Sequence, residues 1–138
     1  LHLCDRRQRQ MCIRDRKYSY TPYSNFKVGA ALLARNGQVY TGCNIENAGY
    51  TATNCAERTA FFKAVSEGER EFTAIAIAGG ISGEAPVEYA YPCGICRQVM
   101  QEFCRDDFVI YVVNSEQDYQ RDTLKELLPF GFGGDAIR

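Results

Sequence analysis

The chain has 138 residues, 46% of them hydrophobic and 24% charged, with a formal net charge of −1. That length allows one domain around one core, and the near-neutral balance and pI near 5.9 exclude a surface built to displace counterions from nucleic acid. No run of about 18 apolar residues is available to span a membrane, and with His2 as the single histidine most catalysis by an internal histidine base is excluded too.

Residues 1–16 stand apart. Five arginines crowd the segment, and it shows no clean apolar face at helical spacing. It is either a divergent helix or foreign sequence, with foreign origin favoured, so its arginines say little about an anionic partner. The expected organisation is an atypical N-terminal segment over 1–16 and one domain over 17–138. From Phe26, the alternation of Phe26, Val28, Ala30 and Leu32 predicts a strand, and Asn36-Gly37 predicts a hairpin into a second strand over about 38–45. Residues 54–66 read as a helix, with Ala56, Thr59, Ala60, Lys63 and Ala64 at helical spacing. An apolar run over 72–78, ending at Gly79-Gly80, predicts a strand buried on both faces. Pro92 opens a second helix through about 103. A buried strand over 108–113, a short edge strand over 119–123 and a helical turn over 124–128 complete the order. Strands alternating with helices imply an α/β domain, and the hairpin makes its sheet mixed.

Chemistry concentrates in Thr53-Asn54-Cys55-Ala56-Glu57-Arg58 and Tyr91-Pro92-Cys93-Gly94-Ile95-Cys96-Arg97. With Pro92 in the first turn of a helix, Cys93 and Cys96 project from one face at i and i+3, and the positive helix end favours thiolates. Cys55 adds a third thiol. A structural zinc site is closed by four protein ligands, whereas three leave a position for water, so this count predicts one catalytic Zn2+ per chain. Glu57, two residues past Cys55, is placed to shuttle protons. A three-cysteine set with such a glutamate is the known signature of zinc deaminases. Three thiolates on a 2+ ion leave the centre formally −1.

Five motifs carry a resemblance to a known family: Thr21-Pro22-Tyr23-Ser24-Asn25-Phe26-Lys27-Val28-Gly29-Ala30, Gly42-Cys43-Asn44-Ile45-Glu46-Asn47, Asn54-Cys55-Ala56-Glu57-Arg58-Thr59-Ala60, Pro92-Cys93-Gly94-Ile95-Cys96-Arg97-Gln98-Val99, and Leu127-Leu128-Pro129. In this order, over roughly residues 18–132, the chain resembles the small, homotetrameric cytidine deaminases of nucleoside salvage. The resemblance implies a three-layer α/β/α fold with a mixed sheet of about five strands, and hydrolytic deamination of cytidine and deoxycytidine. It makes Glu57 the group that moves a proton from water to N3 and a second to the departing amino group. It makes Arg58 a donor that draws charge from the ligand thiolates. Asn44 and Glu46 match the pair that hydrogen-bonds the ribose hydroxyl, Phe26 matches an aromatic on the base, and the Ala56 backbone matches a contact to the pyrimidine edge. Tyr50 matches a residue near the sugar at a subunit boundary, and Phe132 an aromatic that stacks in a neighbouring subunit's site. The family opens with an amphipathic helix where residues 1–16 stand, and Tyr91 replaces the small residue often found before the proline.

Plainer readings compete. Asn54 and Glu57 could be a helix-capping pair, Arg58 an exposed helix arginine, Asn44 and Glu46 solvated, and Phe26 core. Cys43 and Cys104 read as small buried side chains, and Cys4 and Cys12 carry no assignment. The seven cysteines, odd in number and with metal-type spacing, point to a reducing cytoplasm. The competing functions are deamination of an antibiotic such as blasticidin S, a polynucleotide editor, which needs a basic aromatic channel, and a non-enzymatic zinc module, which needs a fourth protein ligand. The expected partners are a small nucleoside and three further copies of the chain, with neither nucleic acid nor membrane.

Overall fold

The computed structural model describes residues 2–83, 85, 89–134 and 137. One sheet of five strands, in the order β2-β1-β3-β4-β5, organises the chain. The strands are β1 (Phe26–Ala34), β2 (Val39–Cys43), β3 (Phe72–Ile81), β4 (Val109–Val113) and β5 (Tyr119–Thr123). β3 and β4 run parallel and the other pairs antiparallel, so the sheet is mixed as predicted. The parallel pair needs a crossover, which carries the second of three helices lying on one face: α2 (Ala56–Ser66), α3 (Gly94–Phe103) and α4 (Leu124–Leu127). The remaining helix, α1 (His2–Asp15), covers the opposite face, giving three layers.

The two faces of the sheet differ in bulk, and the difference is written in the alternation of β3. Ile75 and Ile77 join Leu32, Phe61, Met100, Phe108 and Ile110 in the larger core, under α2 and α3. Ala74, Ala76 and Ala78 point the other way, toward Cys12 of α1. With β3 offering only methyl groups to that face, α1 packs almost backbone to backbone on β1. A Cβ built on Gly29 would stand 2.1 Å from the carbonyl oxygen of Cys12. A strand buried on both faces was the expectation for this run, and it is met by large residues on one side and small ones on the other.

Three features depart from the sequence expectations, and the N-terminal segment, for which a divergent helix is one alternative, is helical. Residues 2–15 form a helix whose inward stripe is Gln8, Cys12, Asp15 and the following Arg16. Three of those four are polar, which is why no apolar periodicity marks it. Gln8 Nε2 donates to the carbonyls of Ala31 and Ala74 at 2.9 and 3.2 Å, and Arg16 Nε donates to that of Lys27 at 3.0 Å. β2 ends at Cys43 rather than near 45, and Ile45 makes only isolated bridges to Tyr20 and Asn54. β3 runs through Gly79-Gly80 to Ile81. Gly79 is there for close packing, since a Cβ would meet Ala90 Cβ at 2.7 Å. α3 starts at Gly94 with Cys93 as its N-cap, so Pro92 lies just outside the first turn. The terminal α4 is held by a reciprocal capping box between Thr123 and Glu126.

Candidate metal centre and active site

Cys55 and Cys93 occupy equivalent places, each as the N-cap of a helix, with extended φ of −72° and −69°. A serine or aspartate there turns its oxygen back onto the free N–H groups of the first turn. Neither cysteine caps its own helix, so both sulfurs face each other between two positive helix ends. Cys96, in the first turn of α3, brings the third thiol from a buried position. The Sγ atoms of Cys55 and Cys93 are 3.8 Å apart, those of Cys93 and Cys96 are 3.6 Å apart, and all three lie within 4.8 Å of one another. Thiolates about 2.3 Å from a tetrahedral zinc would stand ~3.8 Å apart, so this donor set fits zinc in size and softness. Among the described residues the group comprises these three ligands, the number found in catalytic zinc sites.

Arg58 lies one residue beyond Glu57 in α2 and donates from Nη2 to Cys55 Sγ at 3.2 Å. The Cys55 thiol is drawn down to about 5, first by the hydrogen bond from Cys96 and then by Arg58. Cys96 is pushed up in turn by that same bond and by burial. Glu57 is only 5% exposed. Burial raises its carboxyl to about 7, with the negative charge at Cys55 adding to the rise. A carboxyl poised there can accept and return a proton near neutrality. The capping alternative for Glu57 finds no support: Cys55, not Asn54, is the N-cap, and the Asn54 amide donates to Thr59 Oγ1 instead.

Phe26, Asn44, Ala56 and Glu57 line one cavity of about 250 Å³ together with Cys55 and Cys93. Val28, Ala90 and Tyr91 complete its wall. Val28 lies inside the first of the five motifs but carries no site assignment, Ala90 lies outside all five, and the Tyr91 position is marked in sequence as a departure. Asn44 also works locally, with Nδ2 donating to the Phe26 carbonyl and Oδ1 accepting from Val28 N–H, both at 2.9 Å. Glu46 and Tyr50 line a separate hollow of about 400 Å³ with Tyr23, Ser24, Asn47 and Thr53. Phe132 borders a third, beside Gln101 and Gly131, and its carbonyl accepts from Gln98 at 2.9 Å. Neither Tyr50 nor Phe132 lines the thiol cavity of its own chain, and they are 80% and 63% exposed. Cys43 and Cys104 are part-buried free thiols outside the metal group.

With this geometry in view, residues 4–112 match the family described as "Cytidine and deoxycytidylate deaminase zinc-binding region". A cytidine deaminase of Sporosarcina psychrophila is 53% identical over 122 residues, covering 88% of this chain and 86% of the relative. The crystal structure of a cytidine deaminase from Burkholderia pseudomallei superposes with a TM-score of 0.82 at 43% identity, covering 91% of this chain and 97% of that one. A blasticidin-S deaminase of Bacillus cereus is similar at 32% identity over 108 residues, 76% of each chain.

Proposed function

Because the chain belongs to the cytidine and deoxycytidylate deaminase family, we propose that it hydrolyses cytidine and deoxycytidine to uridine and deoxyuridine with release of ammonia. The observation that carries this reading is the three-thiol group, two of whose members, Cys55 and Cys93, line one cavity with the buried Glu57 carboxyl. Cys55, Cys93 and Cys96 would hold the zinc. When bound, zinc lowers the pKa of water toward neutrality and so supplies the nucleophile for C4.

The protein's own part is proton management and orientation. Glu57 accepts a proton from the attacking water and delivers it to N3, which makes C4 electrophilic. It then carries the remaining water proton to the exocyclic nitrogen, so that ammonia leaves and the carboxylate is restored. The pyrimidine edge is set by the Ala56 backbone at the start of α2, and Phe26 supplies an aromatic face for the ring. Asn44 and Glu46 take the ribose. Arg58 draws charge off Cys55, offsetting the formal −1 of a three-thiolate site.

The chain acts in pyrimidine salvage in the cytoplasm, as a homotetramer whose sites neighbouring copies complete. Exposed aromatics support the assembly: Phe130 is 98% exposed, and Tyr50 and Phe132 are exposed as well. No described helix is long and apolar enough to cross a membrane. The deaminase domain comprises residues 17–138, and α1 (His2–Asp15), from the atypical 1–16 segment, packs on its sheet. Ammonia release from cytidine, deoxycytidine and blasticidin S, measured beside zinc content, tests the reading. Turnover of blasticidin S alone, or zinc-loaded protein inert toward all three, would overturn it.

A further inference from the structure

The turn leading into β1 is built around one exposed hydroxyl. Asn25, the sole non-glycine with positive φ (58°) among the described residues, reverses the chain there. Its N–H donates to the Thr21 carbonyl at 3.1 Å, and its own carbonyl accepts from Ser82 N–H at 2.8 Å. This fixes Ser24 between two groups that the catalytic reading uses separately. Ser24 Oγ donates to Glu46 Oε2 and accepts from Phe26 N–H at 3.1 Å. Glu46 Oε1 accepts from the N–H groups of Tyr23 and Ser24 at 3.0 and 3.1 Å. Among the described residues every bond on this carboxylate therefore comes from residues 23 and 24. A hydroxyl has one proton and two lone pairs, and Ser24 uses the proton on the carboxylate and a lone pair on the strand.

We propose that Ser24 is a positioning residue for substrate recognition, whose hydroxyl fixes the Glu46 carboxylate and ties it to the first residue of β1. The proposal rests on the roles given above to Glu46 and Phe26. Without the hydroxyl, Oε1 keeps its two backbone donors but Oε2 loses its only partner among the described residues, and the carboxylate can swing about the remaining pair. The same bond to Ser24 is the main reason the Glu46 carboxyl sits below the usual carboxylate range, so it meets a sugar hydroxyl as a pure acceptor. Asn44 grips the same strand start from two residues away, through Phe26 and Val28. Ser24 thus completes a frame in which the hollow beside Glu46 and the cavity beside Phe26 share one rigid support.

The test is steady-state kinetics of zinc-loaded Ser24→Ala and Ser24→Thr on cytidine and 2′,3′-dideoxycytidine, in the parent and in Glu46→Ala. Loss of a charge-assisted bond should raise KM for cytidine about tenfold in Ser24→Ala, with kcat within about twofold. Ser24→Thr, which keeps the hydroxyl, should return KM to within about threefold of the parent. The penalty should shrink below about twofold on the dideoxy substrate and in Glu46→Ala, because its cause is then absent. A KM penalty equal on both substrates, one that persists in Glu46→Ala, or none at all would overturn the role of Ser24. If Glu46→Ala itself leaves KM for cytidine unchanged, the ribose role of Glu46 falls, and the proposal with it. A raised KM in Glu46→Ala beside a normal KM in Ser24→Ala would remove Ser24 alone.

Discussion

Replacing Gly42 by alanine should disable the enzyme from outside its cavity. Gly42 lies in β2, paired with Ala30, directly beneath the start of α2. A Cβ added there would stand 2.5 Å from the Ala56 carbonyl oxygen and 2.6 Å from the Ala60 nitrogen. Both obstacles are backbone and cannot rotate away. Against an ordinary contact of 3.4 Å the shortfall is about 0.9 Å, so α2 must move by nearly that much. Overpacking of this kind costs about 3 kcal/mol. The displacement also carries Cys55 away from Cys93, now 3.8 Å distant, and Glu57 away from the base. A misplacement of ~1 Å is worth about 100-fold in rate, so kcat/KM should fall by that order while weakened zinc retention appears on dialysis. Urea unfolding, metal content and cytidine kinetics measure the three effects. A Gly42→Ala protein with parental stability and kcat/KM within about threefold would refute the claim that backbone contact at Gly42 sets the position of α2.

Glu57→Gln should keep the fold and the metal but lose nearly all turnover, since an amide cannot accept the water proton; a rate within about tenfold of the parent, ~1.4 kcal/mol of barrier, would clear Glu57 of the shuttle role. Arg58→Gln should retain zinc, yet turn over more slowly and with a displaced pH–rate profile, because Cys55 loses its 3.2 Å donor; identical profiles would count against charge withdrawal. Truncation after Pro129 should raise KM for cytidine and loosen the oligomer with zinc retained, as read by kinetics and light scattering; a fully active monomer would defeat the shared-site arrangement. Burial holds the Cys12 thiol up at about 12 against an ordinary 9.0, so the folded state keeps a proton that the unfolded chain releases. Its stabilisation is complete below pH 9 and is lost as pH rises toward 12, by up to about 1.4 kcal/mol per pH unit. Alkaline melting curves should therefore be flatter for Cys12→Ala than for the parent, and equal slopes would contradict it.

The sheet was legible because its strands announce themselves by the size and spacing of apolar residues. The Ile-Ala alternation of 74–78 even encodes which face takes bulky helices and which takes α1. The metal group was legible because three thiols and one glutamate form a pattern with few other uses. α1 was not, since Gln8, Asp15 and Arg16 fill its inward stripe through bonds to carbonyls and neighbouring side chains rather than through apolar contact. The start of α3 was misplaced because proline favours the positions just before and just inside a first turn alike, while cysteine carries no capping preference to mark the boundary. Gly79-Gly80 reads in sequence as the end of the strand, whereas close packing against Ala90 is what Gly79 serves. Ser24 sat inside a quoted motif without standing out, because its partners Glu46 and Phe26 meet it only once the turn at Asn25 is formed.

The two edges of the sheet bear on how the protein behaves when crowded. β5 forms one edge, with Tyr119, Gln120 and Arg121 exposed and opposite charges on consecutive residues Arg121 and Asp122. β2 forms the other, only five residues long, and Lys63 Nζ of α2 donates to the Thr41 carbonyl on it. Short strands, rim charges and a lysine over an edge carbonyl all obstruct the addition of another strand. At high concentration copies of the chain are steered away from cross-β stacking. That obstruction at both edges disfavours open, fibrillar growth.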